Sequence, residues 1–282
     1  MIQGQLKTNI KEESEIVVRE VKNLPNSYDD TERVLLIDAD SIIYFATHFP
    51  EDSLMDFPTE EDQLEEAKFR TRNKLQEIQN NVEEWYNIKQ TYIFVGGQNN
   101  FRYKIFPEYK ANRLNSKKSP LLPIIKKYMI EELEAISSEG GEADDYLYDA
   151  MLLSKGKCVV SSIDKDVFYN SPDVPFYNYR SYQDVLGEFK SISKEESRLA
   201  IASQIVIGDS SDGIPGAYKV GPAWCMSNMH IGMTNYQFIK AIINAYLKAN
   251  KGNIIESKKQ IRLYYKLLKL YTRDELNKML NQ

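Results

Sequence analysis

The sequence predicts an α/β protein with a mostly parallel central sheet flanked by helices, followed by a helical C-terminal region. Three observations carry that prediction. Short apolar, β-branched runs (RVLLID at 33–38, TYIFVGG at 91–97 and KCVVSSIDKD at 157–166) alternate with longer helix-patterned segments, as buried parallel strands joined by helices do. Two of the three runs stop on acids, Asp38 and Asp40 after the first, Asp164 and Asp166 after the third. Open α/β sheets build their sites at the carboxyl ends of strands. From Ser193 onward the chain reads as helices, apart from one glycine-rich stretch at 207–222.

Taken in order, residues 1–32 form a polar lead-in that ends in the turn-rich PNSYDDTE. Residues 33–190 form the α/β core. Within it, a charged helix is expected over about 60–88 and a basic, proline-interrupted segment from 101, running into an amphipathic helix over 121–134. GEADDYLYDAMLLSKGK, 141–157, reads as a helix with acids in its first turn, where the helix dipole favours them, and a stop at Gly156. Ser193 and Glu196 form a capping box for a helix to about Ile207. The region 191–282 is helical and basic.

The 282 residues, with 42% apolar and 27% charged side chains, describe a soluble globular chain of one large or two small domains. No apolar run approaches membrane-spanning length, and the N-terminus has no apolar core of an export signal, so a cytoplasmic protein without a membrane partner is expected. Two distant cysteines, Cys158 and Cys225, and two isolated histidines, His48 and His230, leave little for a zinc site, a disulfide framework or a His-based triad. The net charge of −5 conceals strong segregation. Residues 1–100 carry 10 Lys/Arg against 20 Asp/Glu, 101–130 carry 8 against 1, 131–190 carry 5 against 13, and 191–282 carry 13 against 7. Basic blocks bracketing an acidic one suit a phosphate backbone gripped around a carboxylate site.

The carboxylates Asp38, Asp40, Glu142, Asp144, Asp145, Asp164, Asp166, Asp209 and Asp212 all fall at strand ends, helix starts or loops. Singly, each reads as a cap or turn former. Together they repel unless cations neutralise them, and hard oxygen ligands select Mg²⁺ or Mn²⁺. Two such ions suit phosphodiester hydrolysis.

Five pieces, LLIDAD (35–40), FRYKIFPEYKANR (101–113), GEADD (141–145), SSIDKD (161–166) and IGDSSDGIPGAYKVGP (207–222), resemble in order the 5′–3′ exonuclease and flap endonuclease family, especially its bacteriophage members. The resemblance spans about 33 to 225 and implies a PIN-like nuclease core. It makes Asp38, Glu142, Asp144, Asp145, Asp164, Asp166, Asp209 and Asp212 metal ligands for two Mg²⁺ ions, with Mn²⁺ as a substitute. Glu142, Asp144 and Asp38 would hold the first ion, and Asp164, Asp166 and Asp209 the second. Lys110 and Arg113 become the basic pair at the scissile phosphate, and Tyr109 an aromatic that stacks on a terminal base. Residues 207–222 resemble a helix–three-turn–helix element whose Gly213, Gly216 and Gly221 approach a DNA phosphate, with K⁺ bridging. Arg102 and Lys219 are expected to contact DNA as well.

The expected activity is 5′–3′ exonucleolytic hydrolysis of duplex DNA, with RNA–DNA hybrids as further substrates, by a monomer in the cytoplasm (a host's, if phage-encoded). Flap cleavage is the alternative, and binding of branched DNA without cutting a third reading. The interval from Arg113 to Glu142 is short for a threading arch, which favours trimming. The second strand ends in Gly96 and Gly97, where the family carries an aspartate. Gly97 is read as the vacated position, Asp40 as the candidate that compensates, and Gly97→Asp as a substitution that would strengthen metal binding.

Overall fold

The structure, a computed structural model, describes residues 20–50, 56–113, 118–180 and 185–280. Residues 1–19 of the expected lead-in and 114–117 of the basic segment lie outside them. The sheet has seven strands: β1 (Glu20–Lys22), β2 (Asp29–Asp38), β3 (Tyr86–Gln98), β4 (Ile136–Glu139), β5 (Cys158–Ser161), β6 (Phe176–Asn178) and β7 (Val185–Lys190), in the order β1-β7-β6-β5-β2-β3-β4. Every pairing is parallel except β6 with β7. The three expected strands are β2, β3 and β5, which lie side by side in the order β5-β2-β3. β2 begins inside the expected lead-in, since Asp29 already pairs with Tyr86.

Leu35 and Ile37 point to one face of the sheet, Leu36 to the other, as the two-residue period of a strand requires. The first face is covered by α1 (Asp40–Ala46), α2 (Glu60–Glu83) and α4 (Leu122–Glu132), which bury Ile42, Ile43, Ala67, Ile78, Val82, Ile125 and Met129 against it. The second is covered by α5 (Ala143–Leu153) and α6 (Lys165–Tyr169), through Leu147, Met151 and Val167. α2 starts on a capping box from Thr59 and Asp62, with three acids in its first turn.

A second core lies in the helical region. It joins α7 (Lys194–Ile207), α8 (Pro222–Asn228), α9 (Asn235–Ala249) and α10 (Ile254–Leu268) around Val206, Ala245, Tyr246 and Leu267. The expected capping box of Ser193 and Glu196 opens α7. Short α3 (Phe101–Ile105) leads the basic segment onto this core, and α11 (Arg273–Leu280) returns to the nuclease half, where Leu276 and Tyr271 pack with Phe101. No described helix is long and apolar enough to cross a membrane.

Candidate active site

The carboxyl ends of β2 and β5, the start of α5 and the loop after α7 meet at one end of the sheet, so four separated segments deliver acids to one place. Asp38 ends β2. It is 4% exposed, and its Oδ2 accepts from Ser162 Oγ at 2.8 Å. Burial, then the neighbouring charges of Asp40 and Asp164, push its carboxyl up to about 7. Asp144, in the first turn of α5, is raised well above the usual range by burial and then by Asp38, Asp164 and Glu142. Asp164 caps α6 by accepting from the Asp166 amide at 2.7 Å, which sets both acids on one short turn. Asp166 is pushed up to about 7 by burial and by Asp164. Asp209 is 3% exposed. Asp38, Asp144 and Asp166 are each raised by neighbouring acids, and Gln204 ties Asp209 to Asp166, so these expected acids are brought together.

Cationic side chains already reach into it. Lys110 Nζ lies 2.5 Å from Glu142 Oε1 and 3.7 Å from Asp212 Oδ2. Burial would lower the Lys110 pKa, but Glu142 and Asp212 lift it to about 12. Burial likewise would raise Glu142, yet Lys110 and Arg102 hold it below the usual range. Arg113 Nη2 contacts Asp212 Oδ1 at 2.7 Å. Lys110 and Arg113 do not share an α-helical turn: Lys110 has a left-handed φ of 54°, and Ala111–Arg113 form a single 3-10 turn. Both nevertheless converge on Asp212. At the other end, Lys165 Nζ lies 2.6 Å from Asp209 Oδ2 and 3.9 Å from Asp166 Oδ1. Gln204 Nε2 donates to Asp166 Oδ1 at 2.7 Å and Asp209 Oδ2 at 3.2 Å. Among the described residues, no three carboxylates as they stand close on one point as a ready coordination shell. The donor set nonetheless fits hard divalent cations: it is all oxygen, crowded and buried, and two of its members are pushed to about 7.

Three expected site residues have other work. Asp145 is fully buried, and its two oxygens accept four hydrogen bonds. Oδ2 takes Arg102 Nη1 at 2.7 Å and the Glu142 amide at 2.8 Å; Oδ1 takes Arg102 Nη2 at 2.9 Å and the Tyr271 amide at 2.9 Å. Its counter-charge is a guanidinium that is itself buried, so Asp145 serves the frame rather than the cluster of acids. Arg102, expected on DNA, is 1% exposed and also donates to the carbonyls of Leu267 and Lys269, both at 2.9 Å. Burial alone would lower its pKa; Asp145 more than offsets that and raises it. Tyr109, expected to stack on a base, is 2% exposed in the second core. Its hydroxyl reaches Glu142 Oε2 at 3.0 Å and Asp212 Oδ2 at 2.9 Å, so it positions two acids. The aromatic that is open here is Tyr103, packed edge-on against Tyr109 and 49% exposed.

The glycine loop also differs from expectation. A Cβ at Gly216 would lie 2.4 Å from the Ile207 carbonyl oxygen, and one at Gly213 would lie 3.0 Å from that of Glu108. Both have positive φ, so the protein's own packing already requires glycine there. Gly221 stands in open space, and Lys219 is exposed beside Tyr218. Gly97 is not a vacated side-chain position: a Cβ there would fall 1.3 Å from the Ser138 carbonyl oxygen. At Gly96 it would instead meet the Asp40 carboxylate, at 2.7 Å from Oδ2.

Sequence reasoning missed Lys165, Gln204, Ser162 and Tyr179, whose hydroxyl donates to the Asp38 carbonyl at 2.7 Å. Lys165 had a signal, standing between two candidate acids; the other three had none.

The family model described as 5′-3′ exonuclease, N-terminal resolvase-like domain, matches residues 33–195. A 5′-3′ exonuclease of Buchnera aphidicola subsp. Acyrthosiphon pisum is 28% identical over 214 residues, covering 66% of this chain and 73% of the relative. One from Buchnera aphidicola subsp. Schizaphis graminum is 32% identical over 163 residues, covering 52% of this chain; the chain thus spans about half of that relative, 54%. Among solved structures, T5 5′-exonuclease with divalent metal ions (zinc) bound superposes with a TM-score of 0.58 at 15% identity, covering 88% of this chain and 97% of that one, a likeness of fold. With the family model covering more than half of its length, the chain belongs to the 5′–3′ exonuclease family of nucleases.

Proposed function

We propose that this nuclease is a Mg²⁺-dependent 5′–3′ exonuclease that hydrolyses phosphodiester bonds from the 5′ end of duplex DNA. The observation that carries the reading is the buried group of acids from four segments, two of them pushed to about 7, which only cations can bring to full charge. Asp38, Glu142 and Asp144 would hold one ion and Asp164, Asp166 and Asp209 the other. Such ions supply a lowered pKa for an attacking water and stabilisation of the leaving oxygen.

The chain's own residues do the rest. Lys110 and Arg113 stand at the rim of the acidic group, on Glu142 and Asp212, where a phosphate entering the site would draw their charge. Tyr109 fixes the two acids against which Lys110 turns. Gln204 holds Asp166 and Asp209 at a set spacing, and Ser162 and Tyr179 fix Asp38. Tyr218, 70% exposed, and Lys219 lie on the loop beyond Asp212 and offer a ring and a cation to the duplex backbone. Such contacts carry no base sequence, so the form of the 5′ end sets the substrate. A single assay tests this: 5′-labelled blunt, nicked, flapped and RNA-primed duplexes, with and without Mg²⁺. Mg²⁺-dependent release from blunt and nicked ends supports trimming. Product from the flapped substrate alone assigns flap cleavage, and binding without product overturns both.

A further inference from the structure

We propose that Asp40 is a metal-holding carboxylate of this site, standing in the space that a side chain at position 96 would fill. The ligand that β3 does not offer is then supplied from the start of α1. The inference rests on the two-cation reading above and deepens it.

Asp40 is the first residue of α1, two beyond Asp38 at the end of β2. β2 and β3 are parallel neighbours with Asp38 paired to Phe94, so Gly96 lies two residues past that pair, on the same edge of the sheet. The Asp40 carboxylate crosses the gap. Its Oδ1 accepts from the Gly96 amide at 2.8 Å, and a Cβ built on Gly96 would lie 2.7 Å from Oδ2 and 3.5 Å from Cγ. A side chain at 96 and the carboxylate of Asp40 therefore compete for one volume. Gly96 is not among the glycines with left-handed φ, so its backbone admits a side chain once Asp40 is gone. Gly97 offers no such exchange, with the Ser138 carbonyl in the way.

Asp40 also adjoins the site: its amide donates to Asp38 Oδ1 at 3.3 Å, and the residue is open to solvent, where an ion can reach it. A helix-starting acid that served only the dipole of α1 would gain as much pointing to solvent. Here one oxygen is pinned by the adjacent strand, while the other lies 2.7 Å from where a Cβ at position 96 would stand.

The test is Mn²⁺ binding to the intact protein without nucleic acid, by calorimetry and by loss of the free-ion EPR signal. Asp40→Asn keeps an oxygen for the Gly96 amide and removes the charge; it should weaken the tighter site about 10-fold or more. Asp40→Ala should do the same, and Asp40→Ala/Gly96→Asp should recover affinity to within a few-fold of wild type. Gly96→Asp alone should bind worse than the double variant, because two carboxylates then share one volume. Wild-type affinity in Asp40→Asn, with affinity lost in Asp38→Asn, would overturn the role of Asp40 alone. No Mn²⁺ binding by the wild-type chain would overturn the site reading beneath it. Melting midpoints in EDTA check that Asp40→Asn is folded, so its affinity decides the question even if the double variant does not fold.

Discussion

Asp145→Asn separates a structural acid from a metal ligand more sharply than any other substitution in the cluster. Asp145 lies at 0% exposure against Arg102 at 1%, and each of its oxygens accepts two donors. An amide in its place turns its NH₂ toward one of those pairs whichever way it sits. Two hydrogen bonds become donor–donor contacts, and a buried guanidinium loses its counter-charge. Breaking a buried ion pair from one side costs about 3–5 kcal/mol. For a chain of this size that lowers the melting midpoint by roughly 6–10 °C, at about 2 °C per kcal/mol.

The assay is thermal unfolding in EDTA, followed by far-UV circular dichroism at pH 7.5. The metal-ligand reading predicts the opposite sign, because removing a carboxylate from a crowded, unneutralised group relieves repulsion. An unchanged or raised midpoint in EDTA, with weakened Mn²⁺ binding, would refute the structural assignment. Arg102→Met gives the complementary loss, since it leaves Asp145 charged and buried and frees the carbonyls of Leu267 and Lys269.

Asp166→Asn should abolish Mg²⁺-dependent cleavage yet retain DNA binding in Ca²⁺, and it should stabilise the metal-free protein. The native carboxyl is raised from 3.8 to about 7, so between those values the folded chain holds the proton more tightly than the unfolded one, and stability falls as pH rises through that window. The variant escapes this loss. Its advantage in EDTA grows from pH 5 to 8, to on the order of 4 kcal/mol at most, and equal midpoints at pH 8 would contradict it. Lys110→Ala should slow single-turnover cleavage about 100-fold while binding falls far less. It should also move the acid limb of the pH–rate profile upward, because Glu142 loses the cation that holds its pKa down against burial; equal losses in rate and affinity would assign Lys110 to general phosphate holding. Gly97→Asp should lower soluble yield or the melting midpoint rather than tighten metal binding, since its Cβ would meet the Ser138 carbonyl; a folded variant with improved Mn²⁺ affinity would contradict the steric reading.

β2 and β5 and the acids that follow them are legible because an apolar, β-branched run that stops on carboxylates suits a buried strand ending at a polar site and little else. β1, β4, β6 and β7 are not. EVK, ISSE and FYN are three or four residues long, and β7, VLGEFK, carries charge; such strands are defined by the neighbours they pair with and show no periodicity of their own.

Within the site, the errors share one physical cause. A motif names neighbours in sequence, whereas a fold turns successive side chains in different directions, by roughly 100° per residue on a helix. Asp144 and Asp145 are adjacent in GEADD, but one faces the other acids while the other faces Arg102 and the returning chain at Tyr271. Tyr109 and Lys110 divide in the same way between the second core and the rim, and Gly96 and Gly97 between Asp40 and the β4 backbone. The Arg102–Asp145 pair spans 43 positions and the Tyr271 bond 126, so no local pattern announces them. Their effect is nevertheless local to the chemistry. The same carboxylate that receives Arg102 and Tyr271 also receives the amide of Glu142, so the chain beyond α10 helps hold the helix start that presents Glu142 and Asp144. The two adjacent acids therefore do different work: Asp145, paired with Arg102, holds the frame, and Asp144, one position away, faces the other acids, which together with burial push its carboxyl up.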